Sequence, residues 1–147
     1  MLKVLFFCVE NSCRSQMAEG LVNHFLAGQV QAFSAGIRPT QVNPMAIQVM
    51  AELGIDISRH RSKSVDELAG EHFDLVITVC DQDREQCPTF PQDTEVMHVR
   101  FPHLGRSSGS GRIFRKMRDA LRERLGYLLR KKLKDLQGQG QPPATEW

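Results

Sequence analysis

The sequence predicts an α/β fold, a single-domain three-layer sandwich with a central four-stranded parallel sheet. Three observations predict it. Short apolar, β-branched runs alternate along the chain with stretches of helical periodicity, which is the pattern of βαβ units. The apolar runs are nearly unbroken, as strands covered on both faces must be. The chain has 147 residues and is 41% apolar, enough for one domain with a core that needs no disulfide or metal to hold it. Right-handed crossovers then bring the C-terminal ends of the strands to one edge, where open α/β sheets bind their ligands.

The elements follow in order. Residues 3–9 read as strand one. Residues 16–27 form a helix with Met17, Leu21, Val22, Phe25 and Leu26 at helical spacing, closed by Gly28. Residues 30–33 make a short second strand, and Ser34-Ala35-Gly36 turns out of it. Residues 44–53 form a second helix, with Asn43 as N-cap, Pro44 at the first helical position and Gly54 at the end. Residues 64–69 are a short helical segment. Residues 74–79 are the third strand, 81–87 a polar helical turn stopped by Pro88, and 95–101 the fourth strand. After a flexible loop at 106–111, residues 113–136 form a long helix with an apolar stripe of Ile113, Met117, Leu121, Leu125, Leu128 and Leu129. The domain spans 1–136. Residues 137–147, rich in Gln, Gly and Pro, are expected to be a disordered tail.

Charge and composition narrow the function. The formal net charge is +2, too small to imply nucleic acid. The excess gathers in 112–134, where Arg115, Lys116, Arg118, Arg122, Arg124, Arg130, Lys131 and Lys132 read as a solvated face diluted by Asp119, Glu123 and Asp135. No apolar run approaches the ~20 residues of a membrane span, and Met1-Leu2-Lys3 leads straight into a strand with no signal-peptide pattern. A cytoplasmic protein is expected. Thiols stay reduced there, so the four cysteines are catalytic, redox or metal-binding before they are structural.

The stretch that carries chemistry is Cys8-Val9-Glu10-Asn11-Ser12-Cys13-Arg14-Ser15, between the first strand and the first helix. A loop there turns its backbone N–H groups inward at the positive end of a helix dipole, a setting for a tetrahedral oxyanion. The amides of Val9, Glu10, Asn11, Ser12, Cys13 and Arg14 would line it. Arg14 adds a planar fork of donors. Cys8 would sit beneath the anion as nucleophile, in a field that favours its thiolate.

The C-x5-R-S spacing resembles the signature loop of low-molecular-weight protein tyrosine phosphatases and of the arsenate reductases built on the same scaffold. Cys-x-x-Asn-Ser-Cys-Arg-Ser-Gln-Met-Ala-Glu, here residues 8–19, is most similar to the reductase branch. So is Thr78-Val79-Cys80 followed by Cys87-Pro88, a pair the phosphatases do not need. The resemblance implies a three-cysteine relay in arsenical resistance: Cys8 attacks arsenate, Cys80 attacks the adduct and releases arsenite, and Cys87 takes over the disulfide, which thioredoxin reduces. Glutaredoxin stands as an alternative reductant. Phosphate and sulfate would act as substrate analogues. No cofactor, metal, nucleic acid or membrane is implied, and a monomer is expected.

The chemistry is consistent with that relay. Taking As(V) to As(III) needs two electrons, which a thiol pair supplies by forming a disulfide. Seven helical steps at ~1.5 Å separate α-carbons by about 10 Å, whereas a disulfide tolerates only about 4.4–6.8 Å. A helical 81–87 in the reduced state would therefore have to unwind on oxidation. Zinc binding is a competing use of the cysteines, but the spacing lacks paired short C-x2–4-C motifs. Cys13 is either structural or a partner that traps Cys8 in a protective disulfide.

The resemblance also assigns supporting residues. Ser15 would donate to the Cys8 sulfur, or serve as a plain N-cap, or both. Asn11 would hold a strained loop conformation. Asn11, Glu19 and Ser34 match groups that, with a further carboxylate, hold potassium in several related reductases. That carboxylate position is Lys63 here, either an ammonium in place of the ion or an ordinary solvated lysine. The loop after strand four reads Arg100-Phe101-Pro102-His103 where the family has Asp-Pro, and no Asp-Pro occurs in the chain. His103 falls at the general-acid position and can donate a proton near neutrality; a surface histidine is the other possibility. His24, His60, His72 and His98 show no ligand spacing. Arsenate exchanges oxygen readily and tolerates a weaker acid than an aryl phosphate does. Two further functions stay open: a phosphomonoester phosphatase working through phosphocysteine, and a redox or oxyanion sensor that docks through the basic helix.

Overall fold

The computed structural model describes residues 1–79, 90–91, 94–101 and 111–136. Strands β1 (Leu2–Phe7), β2 (Val30–Ala35), β3 (Leu75–Thr78) and β4 (Glu95–His98) form one sheet in the order β2-β1-β3-β4. Every neighbouring pair is parallel. Helices α1 (Arg14–Phe25), α2 (Pro44–Ala51) and α3 (Gly111–Leu136), with a 3-10 turn at Val65–Leu68, complete the described elements. This is the α/β architecture the alternation predicts.

Strand β1 is interior because beyond Lys3, at its entry, it has no polar side chain to leave in water: Val4, Leu5 and Phe6 are fully buried and Phe7 nearly so. Strand alternation divides them. Val4, Phe6 and Cys8 enter the larger core, built with Met17, Leu21, Met50, Leu121 and Leu125 from the three helices. Leu5 and Phe7 enter a smaller core with Ala35, Phe73 and Val76, closed by Val65, Leu68 and Phe90. Each fully buried Leu or Phe contributes about 1.5–3 kcal/mol. The outer edge of β2 is blunted by Asn23 of α1, whose side chain accepts from the Ala32 N–H at 2.8 Å and donates to its carbonyl at 3.0 Å.

Element boundaries shift for identifiable reasons. Helix α1 begins at Arg14 because the Met17 N–H already bonds the Cys13 carbonyl. Its N-cap position is Cys13, without a side-chain cap bond. Ser15 lies inside the helix and is not a cap, contrary to that alternative. Strand β2 runs on to Ala35 because β1 pairs with it through Phe7. Helix α2 starts as expected, with Asn43 accepting from the Met45 N–H at 2.8 Å and Pro44 at its start. It stops at Ala51, two residues early, where the Leu53 and Gly54 amides tighten onto Met50 and Ala51. Gly28 and Gly54 both take positive φ, +85° and +77°, where a side chain would be strained.

Helix α3 corrects one expectation. Its basic residues are not simply a solvated face. Arg118 is 8% exposed and lies in the buried stripe with Phe114, Leu121 and Leu125. It donates to the Val49 carbonyl and to Glu52 Oε1, both at 2.8 Å. Arg115 grips the same carboxylate through Nε and Nη2. Lys132 pairs with Glu95, and the Arg124 guanidinium lies over the Phe101 ring. Much of the positive charge is thus spent tying α3 to α2 and to the β4 edge. Among the described residues no helix is long and apolar enough to cross a membrane.

Candidate functional site

The loop from Cys8 to Cys13 joins β1 to α1 at the C-terminal edge of the sheet. The carbonyls of Val9 to Cys13 are all engaged. Val9 O accepts from Ile37 N and Arg38 N at 2.9 Å, Ser12 O from Asn43 N at 3.0 Å, and Cys13 O from Met17 N at 2.8 Å. Glu10 O accepts from the Ser62 hydroxyl at 2.9 Å and Asn11 O from Gln16 Nε2 at 3.4 Å. In a trans peptide the N–H of the next residue points opposite to the carbonyl, and no peptide here is cis. Each of the five amides from Glu10 to Arg14 therefore points away from a carbonyl that is already bonded. A run of amides at a helix N-terminus is the kind of feature that can cradle an anion.

Asn11 is the keystone of the loop. It is fully buried and is the non-glycine residue with positive φ, +51°, among the described residues, a conformation asparagine tolerates better than most. Its Oδ1 accepts from Lys63 N and from Gln16 Nε2, each at 2.9 Å. A backbone N–H can only donate, so this fixes the amide's orientation, and Nδ2 must donate to Ser15 Oγ, 2.8 Å away. The buried Ser15 hydroxyl then has its proton left for Cys8 Sγ, at 2.9 Å.

Cys8 is 4% exposed and anchored by its N–H on the Ala35 carbonyl at 3.3 Å. Arg14 is buried, with Nη1 donating to the Phe101 carbonyl at 2.6 Å, so the β4 exit fixes the guanidinium. Cys13 differs from Cys8. Burial, and next the neighbouring Cys8, push its thiol up from the ordinary value, which keeps it protonated and a poor nucleophile.

Behind the loop, Ser34 Oγ donates to Glu19 Oε1 at 2.5 Å. Lys63 Nζ lies 3.9 Å from the same oxygen and 3.4 Å from the Arg61 carbonyl. Its side chain is only 15% exposed, so it is not an ordinary solvated lysine. A fixed ammonium beside Glu19 repels a monovalent cation, and these residues do not fit a potassium ion. Cys80, Cys87 and His103 lie outside the described residues, as do 81–87, 106–110 and the tail 137–147.

Three residues escaped sequence reasoning. Gln16 and His60 join the Asn11 network; Gln16 lies within the quoted motif, but nothing local marks His60. Gly36 was placed only as a turn. A Cβ there would stand 2.5 Å from both the Cys8 and Val9 carbonyl oxygens, so the loop can close only over a glycine.

Comparison with known proteins places the chain. Residues 3–139 match the family model described as low molecular weight phosphotyrosine protein phosphatase. An arsenate reductase of Halalkalibacterium halodurans is 38% identical over 128 residues, 84% of this chain and 92% of that protein. A solved structure described as an arsenate reductase in the phosphate binding state superposes with a TM-score of 0.75 at 34% identity, over 89% of this chain and 98% of that one. A thioredoxin-dependent arsenate reductase of Corynebacterium glutamicum gives a TM-score of 0.73 at 25% identity, over 90% of this chain and 62% of that one. With nearly its whole length matched by the family model and its Cys8–Arg14 loop joining the first strand to the first helix, this chain belongs to the low molecular weight phosphotyrosine protein phosphatase family.

Proposed function

We propose that this protein reduces arsenate to arsenite, with Cys8 as nucleophile, Cys80 and Cys87 as the thiols that carry the oxidation away, and thioredoxin as reductant. The observation that carries this choice within the family is the 38% identity to an arsenate reductase across 84% of the chain. The phosphate-bound relative fits a tetrahedral anion on such a loop, and the thioredoxin-dependent relative supports the reductant. In this reading the chain acts as a cytoplasmic monomer.

Arsenate seats on the amides of residues 9–14 and on the Arg14 guanidinium. These donors balance its charge where water is displaced. The Cys8 thiolate, held by the Ser15 hydroxyl, attacks arsenic. An oxygen leaves as water, with His103 as the proton donor. The Cys80 thiolate then attacks the Cys8 sulfur. The S–As bonding pair goes to arsenic, which departs as As(III), and a Cys8–Cys80 disulfide remains. Cys87 attacks the Cys80 sulfur and frees Cys8. Thioredoxin's dithiol reduces the Cys80–Cys87 disulfide, which balances the two electrons given to arsenic.

The test is turnover with thioredoxin, thioredoxin reductase, NADPH and arsenate. The wild type is expected to turn over many times and Cys87→Ser once. Continued turnover by Cys87→Ser, or undiminished arsenite from Cys80→Ser, would overturn the relay. A phosphatase would instead hydrolyse an aryl phosphate regardless of Cys80 and Cys87. The missing Asp-Pro weighs against it, because an aryl leaving group needs a well-placed acid.

A further inference from the structure

Strand β4 ends at His98, yet the residues that follow it reach the oxyanion loop. Among the described residues its last backbone bond to the sheet is Val99 N–H on Thr78 O, at 2.9 Å. Beyond that bond the chain is gripped by two arginines. Phe101 O accepts from Arg14 Nη1 at 2.6 Å, a buried contact across 87 residues of sequence. Arg100 O accepts from Arg124 Nη1 of α3 at 3.0 Å. The Phe101 ring is 3% exposed and belongs to the larger core. The Arg124 guanidinium lies over that ring, 5.1 Å from its centroid.

One residue of α3 thus holds the peptide oxygen just before the Phe101 α-carbon and the ring attached to it. A hydrogen bond restrains the peptide in direction, and a cation over a ring face restrains the ring. The next oxygen along, Phe101 O, is the one that Arg14 uses. Where that oxygen stands matters because a guanidinium is a rigid planar fork. With one nitrogen fixed on a carbonyl, the plane and the direction of its remaining N–H groups are set, and paired contact with an oxyanion needs them parallel to it. Arg124 is exposed and its described partners are Arg100 and Phe101, so its route to the site runs through the β4 exit.

We propose that Arg124 is a positioning residue for Arg14, acting through the Phe101 backbone, and so sets how tightly the site holds a tetrahedral oxyanion. The proposal rests on the reading that Arg14 seats that anion.

The probe is inorganic phosphate. Its dissociation constant is read in the intact chain from protection of Cys8 against iodoacetamide, at fixed pH and ionic strength. Peptide mass spectrometry counts Cys8 apart from Cys13, Cys80 and Cys87. Arg124→Ala is expected to raise the constant about three- to tenfold, as the loss of one hydrogen bond and one cation–π contact is passed on to Arg14. Arg122→Ala is the control. It removes the same charge and a ring contact from the same helix, where the guanidinium lies 4.4 Å from the Phe25 centroid, and should leave the constant unchanged. In an Arg14→Lys background the Arg124→Ala effect should shrink below about twofold, because an ammonium is a point charge with no plane to orient. An unchanged constant in Arg124→Ala overturns the proposal. So does an equal rise in Arg122→Ala, which would make the effect one of net charge. The full Arg124→Ala penalty persisting in the Arg14→Lys background also overturns it, since the loop would then have loosened as a whole. Wild-type Cys8 that phosphate does not protect would instead overturn the seating of the anion at Arg14.

Discussion

Gly36→Ala is the sharpest test of how the loop is held. The substituted Cβ would meet Cys8 O and Val9 O at 2.5 Å and Asn11 N at 3.0 Å, while ordinary contact begins near 3.4 Å. About 0.9 Å must be found, the difference between those two distances. All the obstructing atoms are backbone, so no side chain can swing aside. Gly36 itself cannot retreat, because its N–H bonds the Lys63 carbonyl at 2.9 Å and its carbonyl accepts from Val65 N at 2.8 Å. The displacement therefore falls on the Cys8–Asn11 loop. A misplacement of about 1 Å at a reacting group costs on the order of 10²-fold in rate. The assay is single-turnover arsenite formation under saturating arsenate, with far-ultraviolet circular dichroism to establish that the sheet has formed. A folded Gly36→Ala protein within about threefold of the wild-type rate would refute the reasoning, since the loop would then have absorbed the shift without moving the sulfur or its donors.

Three further predictions follow from the same contacts. Asn11→Ala orphans the part-buried Lys63 N–H, removes the buried donor to Ser15 Oγ and puts alanine at positive φ, so urea unfolding should show a loss above ~3 kcal/mol; a loss below about 1 kcal/mol would contradict the keystone role. Glu52 is held down to about 2 by hydrogen bonds from Arg115 and Arg118, below its ordinary 4.5. Its contribution to stability is full above the ordinary value and is lost as pH falls toward the folded one. Glu52→Gln should thus flatten the stability profile between pH 4.5 and about 2, and an unchanged acid limb in the variant would argue against it. Because Lys63 Nζ stands by Glu19, potassium should raise turnover no more than sodium at equal ionic strength; a several-fold specific rise would show that an ion is held after all.

What the sequence determined by itself is whatever neighbours along the chain decide. Strand β1 was legible because Val4 to Phe7 are apolar on both sides of the pleat. The α2 start was legible because Asn43 and Pro44 act on amides within one turn. The oxyanion loop was legible because Cys8 and Arg14 sit in one contiguous segment, where spacing fixes geometry. Boundaries slipped by a residue or two where pairing or a closing turn, rather than propensity, ended the element, as at Ala35 and Ala51.

Only the tertiary structure decided which distant groups complete that loop. His60 and Lys63 reach Gln16 and Asn11 across 44 and 52 residues, and Arg118 reaches Val49 across 69. A histidine, a lysine and an arginine carry the same local signature whether they meet water or a buried carbonyl, so periodicity assigned Arg118 to the surface and left His60 without a role. Gly36 shows the same division. Its missing side chain was visible in the sequence, but its purpose depends on the Cys8 and Val9 carbonyls, brought against it when β1 paired with β2. Local order is written in side-chain pattern, whereas the direction of a hydrogen bond at the nucleophile is set by which donors and acceptors the packed chain puts within 3 Å of each other.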